Sequence, residues 1–146
     1  MRTFFPGPAA GERLEGTSLC CLVHRLCQPA LTVANNSRTT LFNEIPPELL
    51  TIAEEAQIGP VIEEVLHSVI RCAKNGKIHI TAERFRDLIV VEIEERNNYN
   101  GYALACTIQS LQPLVREIGG ELTITGQQEL FTTISLAFLN ESRLKR

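Results

Sequence analysis

The chain has 146 residues, enough for one domain with a hydrophobic core; 44% are hydrophobic and 21% charged, an ordinary balance for a globular protein. The formal net charge of −3 and a pI near 5.6 come with no Lys/Arg cluster and no aromatic RNA-binding motif, so nothing electrostatic points to nucleic acid. No apolar run approaches the roughly 20 residues needed to cross a bilayer.

Residues 1–16 contain two Pro and three Gly with scattered charge and lack the apolar stretch of a signal peptide, so they read as a flexible leader or cloning remnant and the cytoplasm is the expected location. Five cysteines, Cys20, Cys21, Cys27, Cys72 and Cys106, form no C-x-x-C pair, which argues against a disulfide framework and against zinc. Cys20, Cys27, Cys72 and Cys106 sit in apolar helical patterns and read as small buried hydrophobes.

Residues 18–34 form an amphipathic pattern through Leu19, Leu22, Val23, Leu26, Ala30, Leu31 and Val33, with Thr17 or Ser18 as N-cap. Pro29 should kink or split that helix. Residues 39–45 read as a strand stopped by Pro46-Pro47. A longer helix is expected over 59–74, with Val61, Ile62, Val65, Leu66, Val69, Ile70 and Ala73 as its buried stripe, Pro60 in its first turn and Asn75-Gly76 as its stop. Residues 77–82 alternate Ile78 and Ile80 with polar neighbours, 84–87 turn, and 88–94 make the next strand. Residues 96–100 are a polar loop. A third helix spans 102–118, with Leu104, Ile108, Leu111, Leu114, Val115 and Ile118 on one face, closed by Gly119-Gly120. Residues 121–125 and 130–138 then form a hairpin, and 141–146 a polar tail. The order helix, strand, helix, strand, strand, helix, strand, strand suggests one domain over 17–140: a two-layer α/β sandwich, a mixed sheet with helices on one face.

That order is similar to the GHKL fold of histidine kinases, certain chaperones and gyrase-type ATPases. Residues 40–46 resemble the strand and proline that open the kinase catalytic domain. Residues 65–74, VLHSVIRCAK, resemble its helix motif V-L-x-N-L-L-x-N-A-x. Residues 90–95 resemble the strand carrying D-x-G-x-G, and Ile118-Gly119-Gly120-Glu121-Leu122 resembles H-G-G-x-I. The resemblance implies that Ser68 and Cys72 match the two asparagines, of which the second holds Mg²⁺. Magnesium takes oxygen ligands, so a thiol at Cys72 suits it poorly. Glu95 matches the aspartate that accepts the adenine amino proton. Asn97 and Tyr99 stand where glycines let the backbone approach the nucleotide.

The second glycine box, which cradles phosphates at a helix N-terminus, becomes Gly101-Tyr102-Ala103-Leu104-Ala105-Cys106. An alternative register, counted back from Gly119-Gly120, places Ala105 and Thr107 at the glycines. The flexible lid between the boxes has almost no residues left to form it. The resemblance thus implies a degenerate kinase-like domain without ATP turnover and without a cofactor, acting as an interaction or dimerisation module through a protein partner or a homodimer. The alternative is an ATP-binding and Mg²⁺-binding catalytic domain of a sensor kinase or anti-sigma-type kinase, with Ser68, Glu95 and Gly101 carrying residual binding.

His24 begins a stretch superficially like the phosphoacceptor motif H-E-L-R-T-P-L, but Arg25 replaces the acidic neighbour and no room remains for a second long helix. A helix packed at the domain edge is the competing reading. His67 and His79 read as surface imidazoles, since a metal needs at least three convergent ligands. Alternation with Val91 and Ile93 makes Glu92 and Glu94 a solvated strand face rather than acid–base groups.

Overall fold

In the computed structural model of the chain, residues 16–96, 101–126 and 131–141 are described. The leader apart from Gly16, the tail beyond Glu141, Asn97, Tyr99 and the loop tip before Phe131 lie outside them.

Strand β1 (Thr17–Ser18) leads into helix α1 (Leu19–Cys27). Ser18 has extended backbone, and its hydroxyl accepts the Cys21 N–H at 3.4 Å, the expected N-cap. Pro29 splits the pattern as expected: residues Gln28–Ala30 form a 3-10 turn before α2 (Leu31–Asn36). That tighter turn advances each residue by more than an α-helix does, so the buried face after it passes to Ala30 and Ala34. Leu31 and Val33, expected in the stripe, are 37% and 44% exposed.

Strand β2 (Thr40–Asn43) pairs in parallel with β4 (Lys77–Phe85). A parallel pair needs a long crossover, and α3 (Glu55–Cys72) supplies it. Every residue of the expected α3 stripe from Val61 to Ala73 is buried, as is Ile58. Each such aliphatic side chain contributes about 1.5–3 kcal/mol when taken fully out of water. Two hairpins complete the sheet. Strand β5 (Leu88–Arg96) returns antiparallel to β4 around Arg86 and Asp87, and β6 (Glu121–Thr125) pairs with β7 (Phe131–Leu139). The order is β2-β4-β5-β7-β6, a mixed five-stranded sheet. Ile78, Ile80, Ile89, Val91, Ile93, Ile134, Leu136 and Phe138 share one core with Leu19, Leu22, Leu66, Leu104 and Ile108 of the helices. The architecture is the expected two-layer α/β sandwich.

Several boundaries differ from the sequence expectation. Helix α3 begins at Glu55, so Pro60 lies inside it rather than in its first turn. Gly59 precedes it, and apart from its chain neighbours an added Cβ there would meet nothing within 4 Å. A glycine in front of proline removes the Cβ that would clash with the ring, which lets the helix continue. The third helix is two: α4 (Gly101–Ser110) and α5 (Gln112–Glu117). Pro113 cannot donate to the preceding turn, and the chain bends at Leu111. The stop at Gly119-Gly120 is a Schellman motif. Gly120 N–H donates to the Val115 carbonyl at 3.0 Å, Gly119 N–H to Arg116 at 2.9 Å, and Gly119 has φ +72. A second sheet pairs β1 with β3 (Leu50–Thr51). It is held to the end of β7 by Asn140, whose Oδ1 accepts from Thr51 Oγ1 at 3.0 Å and Ile52 N–H at 2.8 Å.

Candidate functional site

The C-terminal end of α3 comes near enough to the C-terminal end of β5 for Cys72 to feel the Glu95 charge. Ser68 and Cys72, four residues apart, lie on one side of the helix. Ser68 is buried, and its hydroxyl is engaged on both sides. It donates to the Glu64 carbonyl at 2.7 Å and accepts from Arg71 Nη2 at 3.3 Å. Cys72 is half-buried in the final helical position. Burial pushes its thiol above the ordinary 9.0; the Glu95 charge adds to the rise, and Arg71 opposes it. A thiol held protonated at neutral pH is neither a good metal ligand nor a nucleophile.

Glu95 is the most unusual residue of the described chain. Period-two alternation in β5 puts Ile89, Val91, Ile93 and Glu95 on the core face. Glu95 stands opposite Ile78 on β4 and Thr132 on β7, is 0% exposed, and has no hydrogen-bond partner for either carboxylate oxygen. Burial pushes its pKa up to about 7. Native interiors seldom leave a polar group unpaired, because its lost hydration is not repaid. Gly76 lets the end of β5 pack closely: a Cβ there would lie 2.9 Å from the Arg96 carbonyl oxygen, and at ordinary contact, 3.4 Å, from Glu95 Oε2. From the sequence Gly76 reads only as a helix stop; the signal for its packing role is a glycine two residues before a core-facing strand position, Ile78.

Asn97 and Tyr99 lie outside the described residues. Gly101 is the first residue of α4 and Ala105 is half-buried within it, so the register that begins at Gly101 meets a helix N-terminus. Thr107, from the alternative register, lies well inside α4 and donates its hydroxyl to the Ala103 carbonyl at 3.1 Å. Only residues 97–100 separate β5 from α4. Cys72 lies near enough to Glu95 to feel its charge, and Ser68 stands one turn before Cys72 on α3.

These residues do not fit Mg²⁺. The Ser68 oxygen is already engaged within α3, the Cys72 thiol is held protonated, and magnesium requires several oxygens. Among the described residues no group of three His, Cys, Asp or Glu could hold a metal ion. Glu95, by contrast, has two acceptors suited to an N–H donor.

The remaining candidates take structural roles. His24 is exposed on the nine-residue α1, which packs against α3 at the edge of the domain, and its Nε2 lies 3.2 Å from Gln28 Nε2. His67 and His79 are half-buried, not surface imidazoles. His67 Nε2 meets the Leu26 carbonyl at 3.2 Å, tying α3 to α1. His79 stacks on Phe42 at 4.5 Å and bonds Glu44 at 3.1 Å. Cys27 is buried, Cys20 and Cys72 are half-buried, and Cys106 is exposed, against expectation. Glu92 is exposed on the outer sheet face, where Glu94 pairs with Arg96 at 2.9 Å.

No family model matches the sequence, and no curated protein does. Solved structures do match. The catalytic domain of histidine kinase ThkA is 16% identical with a TM-score of 0.63, over 89% of this chain and 97% of that one. Histidine kinase AdeS of Acinetobacter baumannii is 12% identical with a TM-score of 0.65, over 85% of this chain and 66% of its own. The mycobacterial sensor histidine kinase MprB is 13% identical with a TM-score of 0.58, over 86% and 96%. Among the described residues no helix is long and apolar enough to cross a membrane. With its mixed five-stranded sheet under one helical layer, the chain has the GHKL-like fold of histidine kinase catalytic domains.

Proposed function

We propose that the chain is a signal-transduction module of the histidine kinase catalytic fold that does not turn over ATP and acts in the cytoplasm by binding a protein partner. The observation that carries this reading is the state of the α3 C-terminus. Ser68 spends its oxygen inside the helix, and Cys72 offers a protonated thiol where an amide oxygen would be needed. Phosphoryl transfer depends on metal ions that neutralise developing charge on the phosphates, and this corner supplies no ligands for one. The short 97–100 connection and the alanines at 103 and 105 support the same conclusion. The test is release or transfer of radiolabelled γ-phosphate from ATP with Mg²⁺. The reading expects none above buffer; turnover that disappears in Glu95→Ala would refute it.

A second reading is favoured by Glu95. A buried carboxylate with two idle acceptors suits the exocyclic amino group of adenine, so nucleotide binding without metal and without turnover is the alternative. It expects binding in EDTA that is lost in Glu95→Ala.

A further inference from the structure

Helices cover one face of the sheet, and the opposite face ends in an apolar corner. Period-two alternation turns Phe85 on β4, Leu88 and Val90 on β5, and Ala137 and Leu139 on β7 away from the core. Register makes them neighbours: Phe85 stands opposite Leu88, Leu88 opposite Leu139, and Val90 opposite Ala137. Phe85 is 53% exposed, Leu139 41% and Leu88 40%. A contiguous exposed apolar patch marks a contact surface. Its rim is acidic. Glu83 stands opposite Val90, Glu121 opposite Ala137, and Glu92 two residues beyond Val90 on the same face. All three are exposed, and none is in an ion pair with a described residue. The cations of this face, Lys77 and Arg96, stand at the far end of the sheet, and Arg86 sits in the turn beyond Phe85.

The chain leaves the sheet at this corner. Leu139 is the last residue of β7, and Asn140 is anchored behind it. Its N–H donates to the Asp87 carbonyl at 2.6 Å, and its Oδ1 accepts from Thr51 and Ile52. After Glu141 come Ser142, Arg143, Leu144, Lys145 and Arg146. These five hold three of the chain's 14 basic residues and no acidic one, and the remaining residues hold 11 basic against 17 acidic, so the body of the protein attracts the tail. One leucine among basic side chains matches an apolar patch with an acidic rim. The reach suffices. Five extended residues span at most about 17 Å. Crossing from β7 to β4 takes two strand spacings, about 10 Å, and moving from the level of Leu88 to that of Glu83 adds about 7 Å along the strand, about 12 Å on the diagonal. A second copy presenting the same patch would set glutamates against glutamates, which is unfavourable. We infer that residues 142–146 fold back over the outer face of their own sheet, with Leu144 on the Phe85–Leu88–Leu139 patch and the basic side chains against Glu83, Glu92 and Glu121. A partner that uses this face has to displace the tail. The contact is independent of nucleotide and stands apart from the reading of the α3 site.

The chain has no tryptophan, so Leu144→Trp in the full chain supplies a single reporter. Its emission and its quenching by acrylamide are read against the free 142–146 peptide carrying the same substitution. Emission should shift to the blue and quenching should be several-fold weaker in the protein, both unchanged on dilution. Adding Glu83→Lys with Glu92→Lys should return the reporter to the values of the free peptide. Arg143→Glu with Lys145→Glu should do the same, and these positions lie beyond the last strand, so the urea midpoint should not move. Combining the two pairs should restore the shielding, because attraction returns with the signs exchanged. A reporter as exposed in the protein as in the peptide, shielding that survives either charge reversal, or no recovery in the combined variant overturns the proposal. Shielding that fades on dilution assigns the tail to a second copy and overturns it as well.

Discussion

Replacing Glu95 by glutamine keeps the shape of the side chain but removes its ability to ionise. Burial raises the Glu95 pKa from its ordinary 4.5 to about 7 in the folded state. The folded chain therefore holds a proton on this group over a pH range where the unfolded chain has lost it. Stability falls wherever the native state binds more protons than the unfolded state, so this contribution is complete below 4.5, declines as pH rises, and is constant above about 7. At about 1.4 kcal/mol per pH unit between the two values, the loss amounts to about 3 kcal/mol. The assay is urea unfolding of the wild type and Glu95→Gln at about pH 5 and about pH 8. The difference between the two proteins isolates the group, since the other titrations are shared apart from that of Cys72, whose thiol stays protonated at both pH values. The wild type should lose about 2.5 kcal/mol more than Glu95→Gln over that interval, since about pH 5 already lies above the unfolded value. Parallel pH profiles would refute the claim that this carboxyl is buried without a partner.

Gly76→Ala would place a Cβ 2.9 Å from the Arg96 carbonyl oxygen, so either the end of β5 or the Asn75–Gly76 turn must shift. The expected cost is about 1–3 kcal/mol, read from the urea midpoint. The cysteines should alkylate in an order set by exposure and thiolate content: Cys21 and Cys106 first under native conditions, with Cys27 and Cys72 protected until unfolding. Mass spectrometry after brief iodoacetamide treatment reads that order, and early labelling of Cys72 would contradict its protonated state.

The elements carried by strong periodicity were legible. The α3 stripe from Val61 to Ala73 and the alternation of β4, β5 and β7 fix both the helical layer and the face of the sheet it covers. What was not legible depended on non-local partners or on a break without a strong local signal. β1 and β3 are two residues each and exist only because they pair across the chain. The division of the third helix at Pro113 was written in the sequence but outweighed by an unbroken apolar stripe on both sides of it. At the site, motif position singled out Glu95, and period-two reading from Ile93 would have placed it on the core face. Its unpaired oxygens, and the close approach of Gly76 to the Arg96 carbonyl beside it, follow from packing that no local pattern encodes.

Calorimetric titration of ATP with Mg²⁺ into the wild type and Glu95→Ala tests the central claim most directly, with a parallel titration in EDTA. The account expects no magnesium-dependent heat with either protein, because the α3 corner holds no ligand set for the metal. Micromolar binding that requires Mg²⁺ and is lost in Glu95→Ala would contradict it and restore a working kinase-type site.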